Sequence, residues 1–218
     1  MSLKDLSISH SALLKLKVSY EKMLKDYLPA PILSFICSVL AQEKVYLIIA
    51  GDRTSKLGDY HFNPRKGHII SINDSLNSYS FAITLIHELA HLKAFKVFSS
   101  NIKPHGQEWK DSFIALMYYP LRTESFPDDI KIALMRHMKN PKASSVRDIE
   151  LRKVLIKYDD NSDGYMLVDD IDDGLVFQLK TGEQFIKKEK LRTRYKCENI
   201  RNGRLYYVSR TAEAKIIR

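Results

Sequence analysis

The chain has 218 residues, enough for one sizeable hydrophobic core and a smaller second unit. Hydrophobic residues make up 44% and charged residues 28%, as in an ordinary soluble globular protein, and no apolar run reaches the ~20 residues that a membrane-spanning helix needs. The net charge of +9 favours polyanionic partners. Two cysteines are too few for a disulfide framework. The N-terminus lacks a signal-peptide layout, which predicts a cytoplasmic location.

The first third of the chain contains sequence patterns typical of two helices and three strands. Helices are predicted over Ser9–Asp26 and Pro31–Glu43, the second with a proline in its first turn. Strands are predicted over residues 44–50, 57–63 and 67–73, the last two joined by the turn N-P-R-K-G. We expect these strands to form a small antiparallel sheet beside the helix that follows.

That helix carries the segment T-L-I-H-E-L-A-H-L, which contains His87, Glu88 and His91. Residues four apart lie on the same helix face, so both imidazoles can reach one metal ion, and Glu88 can hold a metal-bound water. The helix is apolar on nearly every side, and a bound cation would offset much of the cost of burying these polar groups. Because the pattern is short, two ordinary histidines on a core helix remain the alternative.

A catalytic zinc site needs a third protein ligand. His105, in K-P-H-G-Q-E-W-K, lies fourteen residues after His91, a gap that allows the first helix to end near Phe98 and a second to begin after a turn. Glu108 competes, since some zinc peptidases use a second glutamate. Imidazole suits zinc and His105 lies at the turn itself, so we favour His105.

The remaining elements predict an α+β protein with two units. Helices are expected over Gln107 to about Tyr118 and over Pro127–Met138. We assign residues 1–140 to the first domain, 141–149 to a linker and 150–218 to a C-terminal β domain of short strands and turns. The acidic segment D-D-N-S-D-G lacks the spaced glutamate of an EF-hand calcium loop, so it is interpreted as a turn.

Most of the net positive charge of +9 lies in the last 32 residues, which contain eleven Lys or Arg and three Glu. This C-terminal segment, Lys187 to Arg218, also contains interspersed tyrosines. Its basic and aromatic character predicts DNA as a partner. The alternative is a solvated surface whose cations balance the seven aspartates between residues 159 and 173. The cations are Lys187, Lys188, Lys190, Arg192, Arg194, Lys196, Arg201, Arg204, Arg210, Lys215 and Arg218.

Four blocks in a fixed order, K-L-G-D-Y, I-S-I-N, L-I-H-E-L-A-H-L and H-G-Q-E-W-K, resemble the SprT-like zinc metalloprotease domain. This family includes bacterial SprT proteins and the eukaryotic DNA–protein crosslink protease Spartan. The resemblance covers roughly Ile32 to Met117. It implies a zincin-like helical domain with one catalytic Zn²⁺, with His87, His91 and His105 as the ligands and Glu88 as the catalytic carboxylate.

The C-terminal part departs from the family pattern. Many SprT-like proteins end in a zinc ribbon with two C-x-x-C pairs, whereas this chain has only Cys37 and Cys197. A second structural zinc is therefore not expected, and DNA binding by a ribbon does not carry over. Both cysteines are expected to pack in the interior.

The function that follows is a zinc-dependent metallopeptidase that cleaves proteins associated with DNA by means of a Glu-activated, zinc-bound water. Two alternatives stay open: a nucleic-acid-binding protein whose zinc site is structural or vestigial, and a peptidase without a DNA link. A peptide substrate is expected to add to an exposed edge of the small sheet.

Other residues receive lesser predictions. Tyr60 and His61 are weak candidates for stabilising the oxyanion, and Trp109 is expected to anchor the core below the site. The remaining histidines lack partner spacing and are expected to be structural or surface residues: His10, His68 and His137.

Overall fold

Helices and two separate sheets make up the protein, so the predicted α+β class is confirmed. The computed structural model describes residues 9–53, 56–98, 103–141, 148–160 and 164–217. Contacts divide the chain into one unit of residues 1–132 with 138–141 and another of residues 133–137 with 142–218. Most of the predicted linker, residues 142–147, lies outside the described residues, as does the middle of the D-D-N-S-D-G turn.

Five described helices precede residue 142, and their bounds are close to those predicted. Ser9 caps the first helix by accepting a hydrogen bond from the backbone N–H of Ala12. The fourth helix runs past the predicted end and contains Pro120 in its last turns. The helix tolerates this proline there, because it removes only one backbone hydrogen-bond donor. The helices are α1 (His10–Leu24), α2 (Ala30–Glu43), α3 (Ser78–Phe98), α4 (Gln107–Arg122) and α5 (Asp128–Met138).

The sheet of this unit contains β1 (Tyr46–Ala50), β2 (Gly58–Asn63) and β3 (Gly67–Asn73) in the order β1-β3-β2. Strand β2 pairs antiparallel with β3, but β1 pairs parallel with β3, so the prediction of an all-antiparallel sheet was wrong. Strand β3 takes the central position, with Ile70 and Ile72 fully buried. The hairpin occupies one side of β3, which leaves the other side to β1.

Helix α3 lies at the centre of the first unit. It packs against α4, β2 and β3, and residues on every side of it are buried, including Leu85, Ile86 and Leu89 at 0% exposure. The nearly uniform apolar sequence around the two histidines thus belongs to a buried helix, as predicted.

Beyond residue 147, the second unit contains an unpredicted helix, α6 (Ile149–Leu155), which Asp148 caps. Two short 3-10 turns (Ile156–Tyr158 and Val168–Asp170) and one antiparallel sheet in the order β4-β9-β5-β6-β7-β8 follow. Its core includes Phe177, Phe185 and Tyr195. The strands are β4 (Tyr165–Leu167), β5 (Val176–Leu179), β6 (Gln184–Lys190), β7 (Arg194–Asn199), β8 (Leu205–Ser209) and β9 (Glu213–Ile216).

Both cysteines are buried free thiols, which confirms the packing role expected for Cys37 and Cys197. Burial raises the pKa of the Cys37 thiol to about 12, so it carries no thiolate at neutral pH. Among the described helices, none is long and apolar enough to cross a membrane.

Candidate metal centre

Three histidines converge at the junction of α3 and α4. The Nε2 atom of His87 lies 3.2 Å from that of His91 and 3.1 Å from that of His105. The remaining pair, His91 and His105, is 3.0 Å apart. Within the described part of the chain, this is the one group of His, Cys, Asp or Glu side chains with metal-site spacing.

Hydrogen bonding alone cannot satisfy this triangle. Each Nε2 atom either carries a proton or presents a lone pair, so one of the three pairs must always be donor against donor or acceptor against acceptor. A cation on the open side of the triangle accepts all three lone pairs. Nitrogens bound to one tetrahedral zinc ion at 2.0–2.1 Å lie ~3.3 Å apart, close to the distances observed here. The donor set and its spacing therefore fit zinc.

Burial favours the neutral imidazole that a metal needs. Desolvation, and secondarily the charge of His105, lowers the pKa of His91 to about 4. At neutral pH this ring therefore presents a lone pair at the centre without first losing a proton.

The third histidine reaches the site through an unusual backbone conformation. His105 has φ of 58°, in the left-handed region that residues other than glycine rarely adopt. It lies between Pro104 and Gly106, and the N–H of Gly106 closes the turn on the carbonyl of Lys103 at 2.8 Å. A Cβ atom on Gly106 would lie 2.9 Å from that carbonyl oxygen, so the turn requires a glycine directly after His105.

Trp109 supports the three rings from one side. Its ring centroid lies 4.6 Å from His87, 5.5 Å from His91 and 4.8 Å from His105. Its Nε1 donates to the backbone carbonyl of His87 at 3.3 Å, and its own side chain is fully buried against Phe113. The prediction of a core anchor below the site is confirmed.

Glu88 is a buried carboxylate, with 7% of its surface exposed, on the turn of α3 that carries the histidines. Desolvation and the nearby charge of Asp59 raise its pKa to about 8, while the backbone N–H of Tyr60 donates to it and opposes the shift. A dication held by the histidines would stabilise the ionised form and lower this pKa. Because this pKa lies close to neutral pH, a small change in the surroundings of Glu88 decides whether its carboxyl group carries a proton.

Strand β2 forms the wall beside Glu88, and sequence reasoning did not identify its contribution. A Cβ atom on Gly58 would lie 2.8 Å from Oε1 of Glu88 and 2.7 Å from Cγ2 of Thr84. Only a glycine at this position lets the strand approach the carboxylate so closely. The available signal was the K-L-G-D-Y block itself, in which this glycine stands.

Asn73 fixes the loop that leads into β2. Its side-chain amide, fully buried, donates to Oδ1 of Asp52 and to the backbone carbonyls of Arg53 and Lys56, while its Oδ1 accepts from Nε of Arg53 at 2.7 Å. Its own N–H bonds the carbonyl of Leu57, directly before Gly58. The final residue of the I-S-I-N block therefore positions the wall of the site from a distance.

The weaker predictions fare differently. Glu108 is not part of the metal-spaced group, which leaves His105 as the third member. The Tyr60 hydroxyl points to Nδ1 of His68 at 3.0 Å, and His61 is 54% exposed beside Asp59, so neither side chain is placed as an oxyanion donor by its contacts. His137, buried against Asp148 at 2.9 Å, is structural, as predicted.

Residues 35–124 match the sequence model of the SprT-like family. No curated protein and no solved structure matches the chain significantly. The matched segment begins in α2 and ends just after α4, so it contains all three histidines, Glu88, Gly58 and Asn73.

Proposed function

Residues 35–124 form a SprT-like domain, and from this premise we propose that the protein is a zinc-dependent metallopeptidase. The family is of the metalloprotease type, and the observation that carries the proposal is the convergence of three imidazoles beside a buried carboxylate. A purely structural zinc site would have no use for such a carboxylate and would normally provide a fourth protein ligand.

His87, His91 and His105 would hold the ion. Zinc at this site supplies Lewis acidity, which lowers the pKa of water and polarises a peptide carbonyl. The residues of the chain orient the ligands and transfer the protons. Trp109 and the bond from its Nε1 to the carbonyl of His87 keep the rings oriented, so that the ligands need no rearrangement.

Glu88 is the residue suited to move protons. Because burial raises its pKa and the N–H of Tyr60 stabilises its ionised form, its carboxylate can accept a proton from attacking water and then donate it to the leaving amine. The close approach of Gly58 restricts the positions that Oε1 of Glu88 can take.

Strand β2 offers a place for the substrate chain. In the described sheet β2 lies at an edge, paired with β3 alone, and its Tyr60 contacts Glu88 through the backbone. An extended peptide that pairs with this edge would bring a peptide bond next to the carboxylate.

The test compares Glu88→Gln with wild type in the full chain, with Glu108→Gln as the matched control on α4. We expect both variants to retain one zinc per chain by metal analysis. Cleavage of an unfolded protein such as casein should fall at least about a hundredfold for Glu88→Gln, the loss typical of a missing general base, and stay near wild type for Glu108→Gln. Equal activity of the wild type and Glu88→Gln would contradict the role of Glu88.

A DNA-linked role is proposed on a separate observation in the second unit. Structural roles account for several of the cations in the basic segment: Lys187 is buried over the ring of Tyr195, and Arg210 donates to Asp169 at 2.7 Å. Arg194 and Lys196 make no ion pair among the described residues. Lys196 is the cross-strand neighbour of Tyr207, which is 60% exposed. Cations beside an exposed aromatic ring suit single-stranded DNA, whose bases stack and whose phosphates pair with cations.

The DNA test measures fluorescence anisotropy of a labelled single-stranded oligonucleotide across a salt series. We expect wild-type affinity to fall steeply with salt. Arg194→Glu with Lys196→Glu should weaken binding and flatten the salt dependence, by about one unit of slope for each phosphate that the protein no longer neutralises. The control is the same charge change on α1, Lys22→Glu with Lys25→Glu. If both double variants weaken binding equally, only net charge matters and this face is not the DNA site.

A further inference from the structure

Four aromatic rings form a half-exposed cluster next to the metal centre, and the proposed chemistry does not use them. We call Tyr60, Phe62, His68 and Phe95 the aromatic cluster. Phe62 stacks on Phe95 with centroids 5.2 Å apart, and His68 lies 5.2 Å from Phe62 and 6.0 Å from Phe95. Phe62 is 45% exposed, so part of its ring is open to solvent.

The cluster carries no net charge at neutral pH. Burial, and secondarily the charge of Lys96, lowers the pKa of His68 below its ordinary value, and the Nδ1 of this ring meets the hydroxyl of Tyr60 at 3.0 Å. The Tyr60 hydroxyl and Nδ1 of His68 are therefore turned to each other, and the face made by Phe62 and Phe95 is apolar.

Both elements that hold the histidines and Glu88 in place continue directly into this cluster. Phe95 follows His87 and His91 at the same four-residue spacing on α3, so it lies on their helix face, one turn further on. On β2, Gly58, Tyr60 and Phe62 alternate onto one face of the strand. Gly58 meets Glu88 and Phe62 meets Phe95, so strand and helix run side by side away from the catalytic carboxylate.

The free edge of β2 determines what can occupy this face. A peptide paired with β2 has the same rise per residue as β2. Its side chains two residues apart therefore project to the same side, at a spacing of ~6.8 Å. With one peptide bond beside Tyr60 and Glu88, the side chain two residues away comes to Phe62. The surface that it meets there is aromatic and uncharged.

We propose that the aromatic cluster is a specificity subsite that binds an aromatic or large aliphatic side chain of the substrate, two positions from the cleaved bond. The inference rests on the proposed peptidase function and deepens it. Preferred substrates are thus unfolded or extended protein segments with large apolar residues, and Phe62 is the residue that determines the preference.

The first experiment maps the peptide bonds that the full-length wild type cleaves in unfolded casein, by mass spectrometry of the products. We expect Phe, Tyr, Leu and Met to be enriched two positions from the cut on one side. Phe62→Ala should reduce this enrichment by about tenfold or more, and Phe62→Leu should restore part of it. Phe98→Ala is the matched control, because Phe98 is 50% exposed on α3 outside the cluster. Cleavage by wild type without such enrichment, or an unchanged pattern in Phe62→Ala, would overturn the subsite while leaving the peptidase intact.

A second experiment separates the subsite from catalysis. Full-length Glu88→Gln, loaded with zinc, is titrated by anisotropy with two labelled peptides of alanine and serine that differ only by one central Phe or Ala. We expect the Phe peptide to bind about tenfold more tightly, and the difference to disappear when Phe62→Ala is added. If wild type cleaves nothing but this difference is found, the peptidase proposal fails and the subsite stands; equal binding of both peptides overturns the subsite.

Discussion

At the scale of single residues, Gly58 shows how closely the wall of the site approaches Glu88. A methyl group there would lie 2.8 Å from the carboxylate oxygen and 2.7 Å from Cγ2 of Thr84. Because Thr84 and Glu88 are both buried, neither can move freely into solvent. The side chain of Glu88 must therefore shift if the glycine is replaced.

We predict that Gly58→Ala retains zinc but loses activity by about one to two orders of magnitude, since a displacement of about 1 Å at a catalytic group can cost a hundredfold. Peptide hydrolysis and metal content measured on the same preparation check this. Gly51→Ala is the control, because a Cβ atom on Gly51 meets nothing within 4 Å. Full activity of Gly58→Ala would show that Glu88 does not depend on this close approach.

His105 combines the role of a proposed zinc ligand with a strained backbone. We predict that His105→Ala and His105→Gly both lose zinc, but that metal-free His105→Gly is the more stable by about 1 kcal/mol, because glycine adopts φ of 58° without steric cost. Thermal unfolding and metal analysis measure the two effects. His10→Ala, on the exposed start of α1, should change neither, and zinc retention in both His105 variants would exclude His105 as a ligand.

At the scale of elements, a buried ion cluster ties α2 to α3. Glu43, 7% exposed in its side chain, accepts from Lys93 at 2.6 Å and from Lys96 at 2.7 Å. Burial alone would raise the pKa of Glu43, but the two lysines outweigh it and hold the pKa below its ordinary value. The cluster lies on the turns of α3 that follow His91, so it fixes the part of the helix that carries Phe95.

We predict that Glu43→Gln destabilises the protein by about 1–2 kcal/mol at pH 7, a reduced figure for a buried pair because both lysines are partly exposed. The pKa of Glu43 is lower in the folded protein than in the unfolded chain, where it is about 4.3. The stabilisation by Glu43 is therefore present above pH ~4.3 and is lost as the pH falls through the folded-state pKa. Urea unfolding of both proteins at pH 7 and at pH 3 checks this. Glu21→Gln, which removes the exposed pair with Lys17, should change stability by less than about 0.5 kcal/mol.

At the scale of the whole molecule, the two units have independent means of stabilisation. The second unit depends on Asp169, whose side chain is 8% exposed and contacts Arg210, Tyr195 and Lys153. The hydrogen bond from Arg210, followed by those from the other two, holds the pKa of Asp169 far below its ordinary value. Cations that the sequence suggested for DNA thus partly serve the fold of their own unit.

We predict that Asp169→Asn weakens the second unit by about 2 kcal/mol at neutral pH and leaves zinc content unchanged. The difference from wild type should be complete above the unfolded pKa of about 3.9 and shrink as pH falls below it, since the folded pKa is lower still. Hydrogen exchange of β7 and β8 amides measures the unit by itself. Asp173→Asn, 65% exposed in its side chain, is the control, and an equal effect of the two substitutions would contradict the role of Asp169.

The sequence by itself determined helices α1 to α5, the α+β class and the three histidines that converge. Helical spacing is local, so His87 and His91 had to share a face, and the segment K-P-H-G-Q-E-W indicated both the turn and the new helix that bring His105 back. The family match over residues 35–124 confirms the resemblance that these blocks predicted. The boundary of the domains and a cytoplasmic location stay predictions.

Only the tertiary structure decided which residues surround that centre. The parallel pairing of β1 with β3 depends on which strands become neighbours in the sheet, and the alternation of residues along each strand does not contain that information. Gly58 beside Glu88, Asn73 below the loop and Phe62 against Phe95 are contacts between segments far apart in the chain. They arise when β2 packs along α3, because the spacing of residues within one segment cannot specify what another segment brings to it.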